Sequence, residues 1–289
     1  MNLFAYDFMQ RALIGVLITG LAAPALGIYL VQRRMALIGD GIGHIALTGV
    51  GLGLLTGSSP VLTAVVVSAL GAVAVELIRE RGKASGDIAL ALLFYGGISG
   101  GVFLVALSAG QTNASLMTYL FGSPLTTSRD DLLVMLVLGG VVLTVTLLLR
   151  PWLFAICQDE EYARVSGLPV RGLNLLLAVT TAVTVTVAMR AVGLLLVSAL
   201  MVVPVASAQL VTRGFRATMH VAMLLGVVAA TVGIGVAAQY DTAPGATIVL
   251  TAIAIFAALA VAGAVLRRVR RPRVVTVKQV EPPDVVLEG

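Results

Sequence analysis

The chain has 289 residues, of which 59% are hydrophobic and only 11% are charged, and its mean hydropathy is +1.04. Soluble domains carry about 25% charged residues, so this composition excludes a water-soluble globular protein. The formal net charge is +5, and the single cysteine, Cys157, excludes an internal disulfide and a Cys-x-x-Cys redox motif.

Nine apolar segments follow one another along the chain, at approximately residues 10–31, 42–56, 60–78, 88–108, 131–149, 172–189, 192–212, 219–238 and 244–266. Several reach the roughly 20 residues that cross a hydrocarbon core about 30 Å thick. The second segment is short and could be a partial helix. The pattern therefore predicts an all-α, polytopic transmembrane helical bundle of eight to nine spans. The first segment is too long for a cleaved signal peptide and is read as a retained span.

The distribution of Lys and Arg predicts the orientation, because cytoplasmic loops retain positive charge. Only Arg11, Arg129 and Arg190 fall on the less basic side. We therefore expect a multi-pass protein of the cell (inner or plasma) membrane with its N-terminus outside and its C-terminus in the cytoplasm. Residues 1–266 form the predicted transmembrane domain. Residues 267–289 are expected to be a basic, disordered cytoplasmic tail held near anionic lipid, with no role in nucleic-acid binding.

Two connections are longer than tight turns. The outer one contains the semi-apolar piece 113–122, which is too short to span and is expected to lie at or re-enter the outer interface. The inner one, residues 150–171, is polar and helix-prone around residues 159–165. It ends at Gly167 and Pro169, which are helix stop signals, so we expect a short cytoplasmic helix there.

The stretch from residue 33 to residue 53 carries the most informative polar residues. Asp40 and His44 are four residues apart, so on a helix they lie on one face with Cβ atoms about 5–6 Å apart. Carboxylate and imidazole both bind zinc at about 2.0–2.2 Å, and both also suit manganese. Ionisable groups are costly in a membrane, which favours a functional role. The alternative is that Asp40 caps the second helix and His44 lies near the headgroups.

Glycines surround this pair at the small-residue spacing that lets membrane helices approach closely, at Gly39/Gly43 and at Gly49/Gly53. One Asp and one His make only half of a four-coordinate site. The glycine pattern therefore favours a close approach of a second copy, which would supply the other two ligands. Two carboxylates would also neutralise a divalent cation.

Other ionisable residues are weaker candidates. Glu76 precedes Arg79 by three residues, which predicts an interfacial ion pair. Asp241 lies in a Pro- and Gly-containing turn; together with Arg190 it is a candidate for the outer gate of a pore, against a simple turn as the alternative. Neither lysine stands in a Gly-x-x-x-x-Gly-Lys-[Ser/Thr] loop, so we expect no ATP hydrolysis by this chain, no enzyme activity and no permanently bound cofactor.

Four segments, in this order and spacing, resemble the integral-membrane permeases of zinc and manganese ABC importers, over about residues 10–265. They are 34–53 with its Gly-Asp-x-x-x-His signature, 119–123, the Asp-x-Glu-Tyr-Ala-x-x-x-Gly segment 159–167, and 192–208 followed by Asp241-x-x-Pro-Gly. Two departures are visible. Gly41 and Gly43 stand where larger residues are common, and the C-terminal tail is longer than the fold requires.

The resemblance implies a type II-like ABC importer permease that works as a homodimer, with two cytoplasmic ATP-binding subunits and an extracytoplasmic metal-binding protein. It implies that Asp40 and His44 bind the transported metal. It also implies that a segment containing Asp159, Glu161, Ala163 and Gly167 couples to the ATPase. Zinc is the first choice of metal because it prefers four-coordinate N/O sites, and manganese and iron(II) are the alternatives.

Two other classes of protein compete with this interpretation. A stand-alone secondary transporter or channel would be built from inverted repeats with broken helices, and no convincing repeat is visible in the sequence. A structural membrane partner without transport would leave Asp40 and His44 unexplained.

Overall fold

The computed structural model describes residues 7–80, 86–108, 120, 122, 128–240 and 242–269, and the regular structure in these ranges is entirely α-helical. The helices are α1 (Asp7–Gln32), α2 (Ile38–Thr56), α3 (Pro60–Glu80), α4 (Gly86–Leu107), α5 (Arg129–Leu148), α6 (Arg150–Gln158), α7 (Glu160–Val165), α8 (Val170–Val192), α9 (Leu194–Val211), α10 (Phe215–Tyr240) and α11 (Pro244–Val269).

Eight of these helices are long and apolar enough to cross a membrane: α1, α2, α3, α4, α5, α8, α10 and α11. The polytopic helical fold is thus confirmed. Eight full spans plus one shorter apolar helix is one of the two expected arrangements. The second segment is itself a full span, because α2 begins at Ile38 and reaches 19 residues. The further apolar helix is α9, which has 18 residues.

The helices α1, α2 and α8 are largely buried within the chain, whereas α4, α5 and α11 present most of their surface outward. A hydrogen bond from the Tyr29 hydroxyl to the carbonyl oxygen of Thr146, 2.6 Å long, joins α1 to α5 in the interior. Hydrocarbon offers no partner for such groups, so their pairing inside the bundle is required. Since α2 is one of the buried helices, the functional candidates Asp40 and His44 lie on a central helix.

The glycines of α2 let neighbouring helices of the same chain approach its backbone. A Cβ at Gly49 would lie 2.6 Å from Cα of Ala64 on α3, and one at Gly51 would lie 3.0 Å from the carbonyl oxygen of Gly101 on α4. A Cβ at Gly43 would meet Leu194 at 3.0 Å. The glycine spacing was expected to admit a second copy of the chain. In the structure these three glycines contact α3, α4 and α9 of the same chain.

The predicted helix in the inner connection is confirmed as α7. The Asp159 carboxylate caps it by accepting a hydrogen bond of 2.9 Å from the backbone N–H of Tyr162. The helix ends where Gly167 takes a left-handed conformation with φ of +81°, which glycine adopts without strain. The expected interfacial piece 113–122 lies almost wholly outside the described residues, as does most of the tail 267–289, so both stay predictions.

The approach of α4 to α2 depends on Gly97, since a Cβ there would lie 2.5 Å from the carbonyl carbon of His44 and 2.6 Å from the backbone nitrogen of Ile45. We expect Gly97→Ala to destabilise the protein by about 1–3 kcal/mol, the usual cost of overpacking. Gly96→Ala on the same helix is the control, because nothing lies within 4 Å of its added Cβ. Thermal unfolding in detergent measures both variants, and equal midpoints would contradict this account of the packing.

Candidate metal centre

Asp40 lies in the first turn of α2 and is held by a residue from a distant part of the chain. Its carboxylate oxygen accepts a hydrogen bond of 2.8 Å from the hydroxyl of Ser198 on α9. The residue that caps α2 is Leu37, and no side-chain hydrogen bond caps this helix. The alternative in which Asp40 is merely the helix cap is therefore wrong. The positive end of the helix dipole favours a carboxylate in this first turn.

His44 lies one turn further along α2, and only 3% of its surface is exposed. Its ring packs edge-on against Phe94 of α4, with ring centroids 4.2 Å apart and an interplanar angle of 76°. The Nδ1 atom is buried and has no hydrogen-bond partner in the part of the chain that the structure describes. A buried polar atom without a partner costs about 1–3 kcal/mol, so such an atom needs an explanation. A bound cation at this nitrogen would supply one.

A groove of ≈ 220 Å³ between α2 and α4 reaches the Asp40 carboxylate. Its other lining residues are Leu37, Leu90, Ala91, Phe94 and Tyr95. Tyr95 lies on the outward face of α4 and is largely exposed. The carboxylate can thus be approached from outside the protomer, past an apolar and aromatic rim.

One chain does not complete a metal site in the part of the structure that is described. Among these residues, no group of three or more His, Cys, Asp and Glu side chains is placed to hold a metal ion. Asp40 and His44 offer one carboxylate and one imidazole, and Ser198 adds a hydroxyl beside the carboxylate. A four-coordinate site of the zinc type needs further donors from outside this set.

Ser198 is the residue of this site that sequence reasoning missed. It lies in the apolar segment 192–212, where a single hydroxyl is indistinguishable from one that bonds to its own helix backbone. Its partner lies 158 residues away along the chain. No local pattern contains such a contact, so only the packing of α9 against the start of α2 could identify it.

The residues expected to couple to an ATPase fall into two groups. Ala163 is 1% exposed and packs in the hydrophobic core, and its role in coupling to an ATPase stays a prediction. The outward surface of α7 is formed by its large side chains, since Tyr162 is 71% exposed and Val165 is 87% exposed. Glu161 and Gly167 are also exposed, while Asp159 caps the helix.

The remaining candidates have different outcomes. The Glu76–Arg79 pair is confirmed, with two hydrogen bonds of 3.0 and 2.6 Å between the guanidinium and the carboxylate. Arg190 lies in the last turn of α8, but its side chain is outside the description, and Asp241 is not among the described residues. Their role as an outer gate stays a prediction.

Comparison with known proteins gives a consistent family. Residues 5–263 match the ABC 3 transport family. The chain is 32% identical over 256 residues to the manganese transport system membrane protein MntC of Halalkalibacterium halodurans, with 89% of this chain and 87% of that protein covered. It is 35% identical to the chelated iron transport system membrane protein YfeD of Yersinia pestis, covering 86% of this chain and 82% of that protein.

The chain is also 30% identical to the high-affinity zinc uptake system membrane protein ZnuB of Haemophilus influenzae, covering 87% of this chain and 96% of that protein. Among solved structures, PsaBC from Streptococcus pneumoniae in complex with Fab superposes with a TM-score of 0.81 at 27% identity. The superposition covers 89% of this chain and 92% of that chain. The chain thus belongs to the ABC 3 transport family and is a multi-pass membrane permease of the ABC metal importers.

Proposed function

We propose that two copies of this chain form the membrane pathway of an ABC importer, with Asp40 and His44 of each copy binding one divalent transition metal ion on its way to the cytoplasm. The observation that carries the proposal is the buried imidazole of His44, whose Nδ1 has no partner among the described residues. It lies one helical turn from the Asp40 carboxylate, which accepts one hydrogen bond from Ser198. The imidazole nitrogen and the remaining lone pairs of the carboxylate are available to bind a metal ion.

The homodimer is proposed from the ligand count and from charge. The single chain provides two metal-binding side chains, and the groove beside Asp40 opens at the outward face of α4. A second copy would bring the total to two carboxylates and two imidazoles. The two negative charges would match a divalent cation, which removes most of the cost of holding it away from water.

Zinc is our first choice for the transported ion, because a set of two oxygen and two nitrogen donors suits its four-coordinate preference. Manganese and iron(II) are the alternatives, since the relatives named above transport manganese, iron or zinc by their names. Ligand type alone separates these metals poorly, and geometry and availability decide between them. In every case the ion is cargo and not a resident cofactor.

Separate cytoplasmic subunits hydrolyse ATP in this proposal. An extracytoplasmic metal-binding protein delivers the ion to the permease. In this arrangement the N-terminus lies outside and the end of the bundle with α7 lies in the cytoplasm, as the distribution of basic residues favours. The outward side chains of α7, Tyr162 and Val165, would then contact the ATPase. Large apolar side chains exposed at a polar end of a protein are typical of an interaction site.

Removing either proposed ligand is the direct test of the metal site. We expect Asp40→Asn and His44→Ala each to abolish Zn²⁺ uptake in proteoliposomes that contain the assembled transporter. His44→Ala removes two imidazole donors from the dimeric site, and Asp40→Asn removes the two negative charges that would balance the ion. Bound Zn²⁺ should fall from one ion per two chains to none, while the complex still assembles. His220→Ala is the control, because His220 is the other histidine and is exposed on α10. Full uptake by both ligand variants would refute the assignment.

Ser198 should affect the affinity of the site for metal through its hydrogen bond to Asp40, without being a metal ligand itself. We expect Ser198→Ala to weaken Zn²⁺ binding about tenfold, because a lost hydrogen bond to a charged group changes the free energy by about 1.5 kcal/mol. Ser207→Ala is the matched control on α9, since the Ser207 hydroxyl bonds to the carbonyl oxygen of Val203 in its own helix. Isothermal titration of the purified dimer measures both affinities. Equal affinities would show that the Ser198 contact has no role in binding.

The docking surface of α7 can be tested apart from the metal site. We expect Val165→Arg to prevent binding of the ATPase subunit, because it replaces the most exposed apolar side chain of α7 by a charged one. Val211→Arg is the control, since it makes the same change at an exposed valine at the end of α9. Co-purification of the ATPase with each variant gives the readout. Wild-type recovery with Val165→Arg would place the docking surface elsewhere.

A further inference from the structure

A cluster of polar and charged side chains joins α7 to the spanning helices. One carboxylate oxygen of Glu160 accepts a hydrogen bond of 3.0 Å from the guanidinium of Arg33, and the other accepts one of 3.2 Å from the side-chain amide of Asn174. Arg33 also donates to the amide oxygen of Asn174 at 2.9 Å. The three side chains form a closed triangle between α7, the end of α1 and α8.

The triangle extends to α3 through Arg79. A guanidinium nitrogen of Arg79 lies 3.9 Å from the Glu160 carboxylate, and the same guanidinium is bonded to Glu76. The side chain of Arg33 is only 7% exposed and that of Glu76 only 6%, so these charges are held away from bulk water. Charges in such surroundings keep their partners, because separation would leave each of them unpaired and poorly solvated. Glu160 is therefore tied to α1, α3 and α8 at once.

Arg33 stands directly between α1 and the metal-binding helix. It is the first residue after α1 ends at Gln32, in the connection 33–37 that leads into α2 and to Asp40. This connection is short and internally hydrogen-bonded, since the N–H of Met35 bonds to the carbonyl oxygen of Leu30 at 2.9 Å and the N–H of Ile38 to that of Met35 at 3.0 Å. A displacement of Arg33 would thus be passed to the first turn of α2.

We infer that Glu160 is a positioning residue that transmits movement of α7 through Arg33 to the start of α2, and thereby links ATP hydrolysis to the state of the Asp40–His44 site. The inference rests on the proposed function, in which α7 is the docking helix. Glu160 faces the bundle while Tyr162 and Val165 face outward, so the two sides of one short helix serve two contacts. Sequence reasoning singled out Asp159 and Glu161 on either side and missed Glu160.

A second ion pair at the same end of the bundle provides a control that distinguishes coupling from the mere attachment of one helix to another. Arg171 and Glu80 join α8 to α3 at 3.1 Å and include no residue of α7. The Glu80 side chain is 37% exposed and that of Glu160 is 34% exposed, so the two carboxylates are matched in exposure. Removing the charge of Glu80 should affect helix attachment alone, whereas removing the charge of Glu160 should also affect coupling.

The experiment uses the assembled transporter with its ATPase subunits in proteoliposomes, and measures Zn²⁺ taken up per ATP hydrolysed. We expect Glu160→Gln to keep ATP hydrolysis and complex assembly while the uptake per ATP falls at least tenfold. Arg33→Gln should give the same fall, and the double variant should be no worse than either single one, because all three break the same link. Glu160→Asp, which keeps the charge, should recover part of the ratio. Glu80→Gln should leave the ratio unchanged.

An unchanged uptake per ATP in Glu160→Gln would overturn the inference, and so would an equal fall in Glu80→Gln. If the Glu160→Gln transporter does not assemble, the uptake per ATP is measured on Arg33→Gln, because this variant changes no residue of α7. Failure of both variants to assemble would show a structural role only and would also overturn the inference. Absence of ATP-dependent uptake in the wild-type transporter would count against the proposed function itself, which keeps the two failures distinct.

Discussion

The structure depends on one constraint, which is the cost of holding charged and polar groups where water is scarce. Every backbone group in a spanning segment must be paired internally, and this requirement makes the described chain helical. The same cost governs the side chains. The carboxylate of Asp40 is held by Ser198, Arg33 is held by Glu160 and Asn174, and Tyr29 finds a carbonyl on another helix.

The Nδ1 atom of His44 differs from these groups, because it is buried and has no hydrogen-bond partner among the described residues. It lies next to a carboxylate whose own partner is a neutral hydroxyl. Buried polar groups are normally paired, and the proposed function explains this one as the place where a transported metal ion binds. The chain belongs to the ABC 3 transport family, and the names of its relatives give manganese, iron and zinc as the metals to test.

The position of α2 connects the two polar centres. Its glycines let the backbones of α3 and α4 and the side chain of Leu194 on α9 come close, so α2 cannot move independently of these helices. Its N-terminus follows a short connection from Arg33, which belongs to the cluster around Glu160. Asp40 and His44 thus lie at one end of a tightly packed unit and the charged cluster at the other, with the outward face of α7 beyond it.

Local patterns in the sequence were enough to predict the helical membrane fold, the segments that build it, the α7 helix and the placement of Asp40 and His44 on one helix face. These features depend on local hydrophobicity and on the period of a helix, which a sequence displays directly. Long-range packing, by contrast, places Ser198 and not a helix end against Asp40, turns Ala163 inward and brings the glycines of α2 against other helices of this chain. It also connects Glu160 to α3, to α8 and to the segment that follows α1. Each of these depends on contacts between residues far apart in the chain, and local pattern has no information about which distant helices pack together.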